Sequence, residues 1–200
     1  MTRILIATAN SDKIREIGEI WSDFTKLEIS WLADYPEIIL PEETGNTLKE
    51  NALLKASEVS TILDMPVVAD DTGLFVDFLS GRPGIHSARY AGENASYEDN
   101  VKKLLSELKG VKLKDRTARF ITVVSLVRPG FDPLYAEGMV EGRILENPSG
   151  SGGFGYDPIF IPDESNKSFA EMDLNEKNQI SHRRRAFEKM GEIIKNQSFL

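Results

Sequence analysis

The stretch from Val67 to Gly92 constrains the fold most, because an apolar run in it leads directly to two adjacent carboxylates. The run predicts a buried strand, and Asp70 and Asp71 follow it at the start of a predicted Thr-Gly turn. A second turn, GRPG, comes next, and Ser87 and Arg89 follow that turn. Acidic side chains at a strand end, with a hydroxyl and an arginine close behind, suit a metal ion and a phosphate. By itself, the stretch is equally compatible with two strands joined by a solvated turn.

Composition favours a soluble cytoplasmic protein with one domain over residues 1–200. Forty per cent of the 200 residues are hydrophobic, which is enough for a sizeable core. No apolar run has the length that spans a bilayer, and the run Ile4–Ala7 is too brief for a signal-peptide core. The absence of cysteine excludes disulfides, thiolate nucleophiles and cysteine metal sites.

The charge balance argues against nucleic acid polymers as partners. The net charge of −8 comes from 24 basic and 32 acidic residues, and an acidic surface repels a polyanion. A small phosphorylated ligand stays possible if the chain provides a local basic pocket or a divalent cation.

Predicted strands alternate with predicted helices along the chain. Strands are predicted within 3–9, 27–39, from 67 onward, 116–128 and 134–145. Helices are predicted to start at residues with capping side chains, namely Asn10, Thr47, Ser96 and Ser181. The first helix has an apolar stripe that ends at Trp21 and Phe24.

Three segments could bind a ligand, although each also has an ordinary structural explanation. Residues 8–13 form a strand-to-helix turn whose backbone N–H groups and Lys13 could bind phosphate, or simply an ordinary capped helix. Residues 147–162 are rich in glycine and carry Phe154 and Tyr156 as possible stacking faces, or form a flexible loop. The segment from Lys177 to Arg185 is basic and suits an anionic or carbonyl-bearing ligand, or a solvated surface patch.

The order of these segments resembles the inosine triphosphate pyrophosphatase family, also called the HAM1 family. The matching stretches are TANSDK (8–13), EETGNTLKENALLKA (42–56), ADDTGL (69–74), GRPGIHSARYAG (81–92), GGFGYDPIF (152–160) and AEMDLNEKNQISHRRRA (170–186). The resemblance implies an α/β fold with an elongated mixed β-sheet, flanked by helices in two lobes with a central cleft. It also implies a homodimer and Mg²⁺-dependent hydrolysis of inosine, deoxyinosine and xanthosine triphosphates to monophosphate and pyrophosphate, which removes deaminated purines from the nucleotide pool.

The resemblance also assigns roles to individual residues. Asp71, with Asp70 and Lys13, would be catalytic, and the metal would be bound by Asp71 and by Glu42 or Glu43. The triphosphate would contact Thr8, Ala9, Asn10, Ser11, Asp12, Lys13, Lys55, Thr72 and Arg89. The base and sugar would be enclosed by Phe154, Gly155, Tyr156, Asp157, Lys177, His182 and Arg183.

The chain departs from the family pattern at three places, none of which removes a required chemical group. Ala9 stands where the family usually has glycine, and Thr72 stands where it usually has serine. Residues 148–150 read Pro-Ser-Gly where the family often has an Arg-Gly pair before the aromatic loop.

The residue types agree with the implied chemistry. Mg²⁺ takes oxygen ligands from one or two carboxylates and from substrate phosphates, and lysine and arginine can stabilise a pyrophosphate leaving group. Lys177, Arg183 and protonated His182 are hydrogen-bond donors only, which favours a base with a 6-oxo group over adenine. A pyrophosphatase for pyrimidine or modified nucleotides and a non-catalytic nucleotide-binding protein remain as alternatives, and the acids at 42, 43, 70 and 71 argue against the second.

Overall fold

The computed structural model describes residues 2–22 and 27–196 as strands, helices and short connections. The strands are β1 (Thr2–Ile6), β2 (Leu27–Trp31), β3 (Val67–Val76), β4 (Pro83–Gly84), β5 (Thr117–Val127), β6 (Leu134–Ile144) and β7 (Phe160–Pro162). The α-helices are α1 (Ser11–Trp21), α2 (Leu48–Leu63), α3 (Tyr97–Glu107), α4 (Leu174–Ile180) and α5 (His182–Asn196).

The described strands form a mixed sheet in the order β2-β1-β3-β5-β6-β7, with β4 paired to β3. Strand β1 is parallel to both β2 and β3, in a register that places Ile4 opposite Ile29 and Ile6 opposite Val68. Strand β4 runs antiparallel to β3, and β7 runs antiparallel to β6. A mixed sheet with flanking helices confirms the predicted α/β fold class.

The chain divides into two compact units. Unit 1 comprises Met1–Asp71, Thr122–Gly138 and Arg183–Leu200, and unit 2 comprises Thr72–Ile121 and Met139–His182. In unit 1, the apolar face of α1 packs against α5, where the indole N–H of Trp21 donates a hydrogen bond of 3.0 Å to the carbonyl oxygen of Phe187. The two rings also meet edge to face at 5.3 Å. This core fixes α1 and its first turn, where Lys13 lies.

Unit 2 has its own aromatic core, which supports the glycine-rich loop. Phe160 lies between Phe120 and Phe169, with ring centroids 4.8 and 5.2 Å away. At Gly142 the backbone of β6 lies very close to β7, since a Cβ at this position would stand 2.3 Å from a backbone oxygen of β7. The close pairing of β6 with β7 therefore depends on a glycine at this position.

Three predicted helix starts are confirmed by their caps. Asn10 accepts from the backbone N–H groups of Asp12 and Lys13, and Thr47 accepts from the N–H of Glu50. Ser96 forms a full capping box with Asp99. Phe24, which the pattern placed on the first helix, lies outside the described residues. Within the described ranges, no helix combines the length and the apolar character needed to cross a membrane.

One detail of the predicted secondary structure was wrong. Asp70 and Asp71 do not enter a turn, because β3 continues through Thr72 and Gly73 to Val76. The strand continues since both carboxylates have cationic partners and since Gly73 lets the backbone of β4 approach: a Cβ there would lie 2.7 Å from the carbonyl oxygen of Gly84. The helix predicted to start at Ser181 is present, since α5 begins at the next residue, His182. Ser181 is also the C-cap of α4, a helix that the sequence patterns did not reveal.

Candidate active site

Asp70 lies on β3 within a buried cluster of positive charge in unit 1. Its Oδ2 atom is 2.9 Å from the Nζ atom of Lys13 and 3.8 Å from the Nε atom of Arg183. Burial by itself raises the pKa of the Asp70 carboxyl, but Lys13, Arg183 and Lys55 together outweigh it and lower the pKa to about 2. Asp70 is therefore a permanent anion that anchors the lysine.

The Asn10 cap fixes the start of α1 and thereby the position of Lys13 in its first turn. The Asn10 Oδ1 atom accepts hydrogen bonds from the N–H groups of Asp12 at 2.9 Å and of Lys13 at 3.1 Å. Burial lowers the pKa of the Lys13 ammonium, and the attraction of Asp70 opposes this. A lysine at the first turn of a helix, beside backbone N–H groups, makes a favourable position for a phosphate.

Asp71 belongs to a second group of polar side chains in unit 1. The Nδ2 atom of Asn51 donates to its Oδ2 atom at 3.1 Å, and the Lys55 Nζ atom lies 3.6 Å from its Oδ1 atom. Burial raises the pKa of the Asp71 carboxyl, Glu43 adds to the rise, and Lys55 opposes it. A buried carboxyl with a raised pKa is a plausible proton acceptor.

Lys55 connects Asp71 to the acidic loop before α2. Its Nζ atom donates to the Oε1 atom of Glu43 at 2.5 Å. Burial lowers the pKa of the ammonium, but Asp71, Glu43 and Asp70 together raise it above its ordinary value. The sequence left the choice between Glu42 and Glu43 open, and it is Glu43 that joins this group, whereas Glu42 is exposed.

Asp71 and Glu43 are carboxylates, the ligand type that Mg²⁺ takes. Both lie near the same ammonium, since the Lys55 Nζ atom is 3.6 Å from Asp71 and 2.5 Å from Glu43. Among residues 2–22 and 27–196, no group of three or more His, Asp or Glu side chains could hold a metal ion. Two carboxylates are sufficient for Mg²⁺, which completes its shell with water and substrate phosphates and rarely occupies an all-protein cage.

A buried ion pair that the sequence interpretation missed lies next to Asp70. Glu16 on α1 is 2% exposed and accepts a short hydrogen bond from the Nη1 atom of Arg183, which is 1% exposed. The available signal was helical spacing, because Glu16 lies one turn before Ile20 on the stripe that faces the core. Arg183, predicted to contact the base, is therefore placed with Glu16 and Asp70 in unit 1.

A third group of side chains lies in unit 2 around the glycine-rich loop. The Oδ2 atom of Asp157 accepts from the Lys177 ammonium at 2.6 Å and from the backbone N–H of Phe154 at 2.8 Å. The Lys177 Nζ atom also lies 4.8 Å from the centroid of the Phe154 ring. Gly153 permits this arrangement, since it has a φ of +67° and a Cβ there would lie 2.1 Å from the Asp157 carboxylate.

His182 and Tyr156, which were also predicted near the base, are buried like Asp157 and Lys177. His182 is 3% exposed and stacks on Phe120, with centroids 4.6 Å apart and ring planes at 13°. Tyr156, predicted as a stacking face, is 5% exposed and donates its hydroxyl hydrogen to the carbonyl oxygen of Ser87 at 2.9 Å. Burial raises the pKa of this tyrosine, and its contacts identify it as part of the core of unit 2.

The remaining predicted site residues divide between the two units. In unit 1, Thr8 is buried and its Oγ1 atom accepts from the Asn10 N–H at 3.3 Å, while Ala9 and Ser11 are exposed. In unit 2, Thr72 is half-buried, and Arg89 lies 3.6 Å from the exposed carboxylate of Glu93. Gly155 follows Phe154 in unit 2 with a φ of +61°.

The fold and these groups define a class of protein: an α/β protein in which buried lysines and carboxylates are arranged around adjacent acids on a central strand. Residues 4–193 match the model of the Ham1 family. The chain is 48% identical over 188 residues to a dITP/XTP pyrophosphatase of Geobacter sulfurreducens, covering 93% of each chain. It is 49% identical over 192 residues to a dITP/XTP pyrophosphatase of Thermoanaerobacter pseudethanolicus, covering 96% of each chain.

A solved structure agrees with these relatives. The Ham1 protein of Staphylococcus aureus superimposes with a TM-score of 0.87 at 39% identity, over 98% of this chain and all of that one. This chain therefore belongs to the Ham1 family, which confirms the resemblance seen in the sequence.

Proposed function

We propose that this protein hydrolyses dITP, ITP and XTP to the nucleoside monophosphate and pyrophosphate, and so removes deaminated purines from the nucleotide pool. The observation that carries the proposal is the group of Glu43, Lys55 and Asp71, in which two carboxylates that could bind a cation lie against one buried ammonium. The names of the relatives in Geobacter sulfurreducens and Thermoanaerobacter pseudethanolicus support the choice of substrate.

The phosphates are assigned to the residues of unit 1. Lys55 is buried and Lys13 is half-buried, and each is held by a carboxylate, so they can neutralise phosphate charge without first losing a full hydration shell. Their positive charge favours departure of pyrophosphate, on which negative charge grows in the transition state. Mg²⁺ would be held by Asp71 and Glu43 and, when bound, neutralises phosphate charge and lowers the pKa of a coordinated water.

Asp71 is assigned the role of proton acceptor for the attacking water. Its carboxylate is buried and lies 3.6 Å from the Lys55 ammonium, which holds it in a fixed position. Asn51 donates to one oxygen of this carboxylate and thereby orients the side chain. Attack at the α-phosphorus breaks the bond to the bridging oxygen, so the products are monophosphate and pyrophosphate.

Recognition of the base is assigned to Phe154, Lys177 and His182 of unit 2. The sequence also predicted Arg183, which lies in unit 1 with Glu16 and Asp70. The Phe154 ring offers a stacking face, which any base can use. Selectivity must come from the donors, since a 6-oxo purine presents an acceptor where adenine presents an amine. A donor site rejects the wrong base strongly because its buried donors would lose their partners.

Product analysis with a panel of triphosphates tests the proposal. Purified protein is incubated with dITP, XTP, ATP, GTP and TTP, with Mg²⁺ or with a chelator, and pyrophosphate and phosphate are measured separately. We expect pyrophosphate from dITP and XTP and its loss on chelation. Release of phosphate instead, or equal turnover of ATP, would contradict the proposed reaction.

The same panel distinguishes the alternatives. A pyrimidine-directed enzyme would turn over TTP faster than dITP, and a non-catalytic binding protein would release no pyrophosphate with Mg²⁺ present. We further propose a cytoplasmic homodimer, which the family resemblance implies; sedimentation equilibrium would test the dimer, and fractionation of cells would test the compartment.

A further inference from the structure

Tyr97 is an exposed aromatic residue at the first position of α3, and no role has been assigned to it so far. Its exposed fraction is 45%, and it does not belong to the buried core of unit 2. Its ring lies 6.0 Å from the ring of Phe154, centroid to centroid, with the planes inclined at 45°. This separation and tilt fall within the range at which aromatic pairs attract each other.

The backbone of the Phe154 loop is held by hydrogen bonds, among them one of 2.9 Å from the N–H of Gly152 to the carbonyl oxygen of Ala170. Asp157 accepts from the Phe154 N–H and pairs with Lys177, which fixes the main chain at this point. The side chain, however, lies between Gly153 and Gly155, both with positive φ, and glycines place few steric limits on their neighbours. The orientation of the ring must therefore come from what it touches.

Two groups provide that orientation. The Lys177 ammonium lies 4.8 Å from the ring centroid, within the distance at which a cation is attracted to an aromatic ring. Tyr97 provides the second contact, from a different element of the same unit. With both contacts in place, the ring has fewer orientations to lose when a base stacks on it.

The start of α3 does not depend on the Tyr97 side chain. Ser96 accepts from the N–H of Asp99 at 3.1 Å, and Asp99 accepts from the N–H of Ser96 at 3.0 Å. This capping box is formed by Ser96 and Asp99 and does not use the Tyr97 side chain. Tyr97 is half exposed beside the glycine-rich loop, and its ring is not needed by the cap or the core. The position of this ring therefore calls for another explanation.

We infer that Tyr97 is a positioning residue for base recognition: its ring holds Phe154 in the orientation that stacks on the nucleobase. The inference rests on the proposed function, because it concerns the base group of the same site. It adds a residue outside the glycine-rich loop and the basic segment to those that determine affinity for the base.

Kinetics with and without a base test the inference. For Tyr97→Ala we expect kcat/KM for dITP and XTP to fall about two- to tenfold, mainly through KM, as expected for the loss of one aromatic pair. The inhibition constant of tripolyphosphate, which has phosphates but no base, should stay unchanged. Tyr97→Phe keeps the ring and should behave like the wild type.

A matched control and a double variant separate positioning from packing. Phe78→Ala removes a 56% exposed aromatic group of the same unit and should leave KM unchanged. In a Phe154→Ala background, Tyr97→Ala should have no additional effect on KM, because the ring through which it acts is missing.

The inference is overturned if Tyr97→Ala leaves KM for dITP unchanged, or if it weakens binding of tripolyphosphate as much as binding of dITP. It is also overturned if Tyr97→Ala has its full effect on KM in the Phe154→Ala background. A thermal unfolding scan of each variant shows whether a change in KM is accompanied by a loss of fold. A wild-type protein that releases no pyrophosphate from dITP or XTP would instead refute the proposed function.

Discussion

Replacing Asp71 with asparagine should separate catalysis from stability. The substitution keeps the shape of the side chain, and the new amide oxygen can still accept the 3.1 Å hydrogen bond from Asn51. Lys55 loses one of its carboxylate partners but keeps Glu43 at 2.5 Å. The fold around the site should therefore be retained, while the proton acceptor and one metal ligand are lost.

The expected loss of turnover is large. A positioned general base contributes about 10²–10⁴-fold to rate, which corresponds to about 3–5 kcal/mol of transition-state stabilisation at 1.36 kcal/mol per tenfold. We expect kcat for dITP to fall by at least about a hundredfold, and binding of dITP to persist because Lys13 and Lys55 remain. Pyrophosphate release measures the first quantity and isothermal calorimetry the second.

Asp71→Asn should lower turnover but should not lower the stability of the fold. Burial raises the pKa of Asp71 above 3.8, so the folded protein holds this proton more tightly than the unfolded chain does. Ionisation of Asp71 therefore costs stability once the pH rises above the unfolded value. At neutral pH, Asp71→Asn removes that cost, and its free energy of unfolding should equal or exceed that of the wild type.

Asp77→Asn is the matched control, because Asp77 is an exposed carboxylate that pairs with Arg119 at 2.9 Å. An exposed pair contributes about 0–1 kcal/mol, so this variant should keep both turnover and stability. If Asp71→Asn hydrolyses dITP at the wild-type rate, the role assigned to Asp71 is wrong. If Asp71→Asn unfolds much more easily than the wild type, the argument that burial of the ionised Asp71 carboxylate costs stability is wrong.

Three further predictions concern stability. Gly18→Ala should stabilise α1 by about 0.5–1 kcal/mol, because the new Cβ makes only ordinary contacts. Gly142→Ala should destabilise the fold by about 1–3 kcal/mol, because its Cβ meets a β7 backbone oxygen at 2.3 Å. Urea unfolding of both variants compares the two effects. Glu16→Gln should cost about 1–3 kcal/mol, because it replaces the charged acceptor of the buried Arg183 guanidinium by a neutral one and leaves Asp70 as the nearby carboxylate, and an unchanged urea midpoint would contradict this. Asp70, with its pKa lowered from 3.8 to about 2, should stabilise the fold fully above about pH 4 and progressively less as the pH falls towards 2, so an Asp70→Asn variant should show a shallower acid dependence of unfolding.

Local sequence patterns predicted the helix starts well because a cap is a local interaction. Asn10, Thr47 and Ser96 each bond to a backbone N–H two or three residues ahead, and no distant residue is needed. The same logic could have located α4, since Asp173 and Glu176 form a capping box at its start. That signal was overlooked because the helix after it is short and mostly polar.

The site could be predicted from the sequence only as a set of residues. Lys55 was predicted only as a phosphate contact, whereas the structure buries both Lys55 and Asn51 on α2, where Asp71 meets them from β3. Likewise, Glu43 is distinguished from Glu42 by its contact with Lys55, twelve residues later in the chain. These pairings depend on how strands and helices pack, which residue types and spacings do not encode locally.

The opposite pKa shifts of Asp70 and Asp71 follow from the strand that carries them. Successive side chains of a β-strand point to opposite faces of the sheet. Asp70 thus meets Lys13 and Arg183, which keep it ionised, whereas Asp71 meets Asn51 and Lys55 in a setting where burial dominates. Had β3 ended in a turn at these residues, both carboxylates would have faced solvent with similar pKa values. Because the strand continues, two neighbouring and chemically identical groups can serve as an anchor and a base, a separation of pKa values by environment that is typical of acid–base assignments in enzymes.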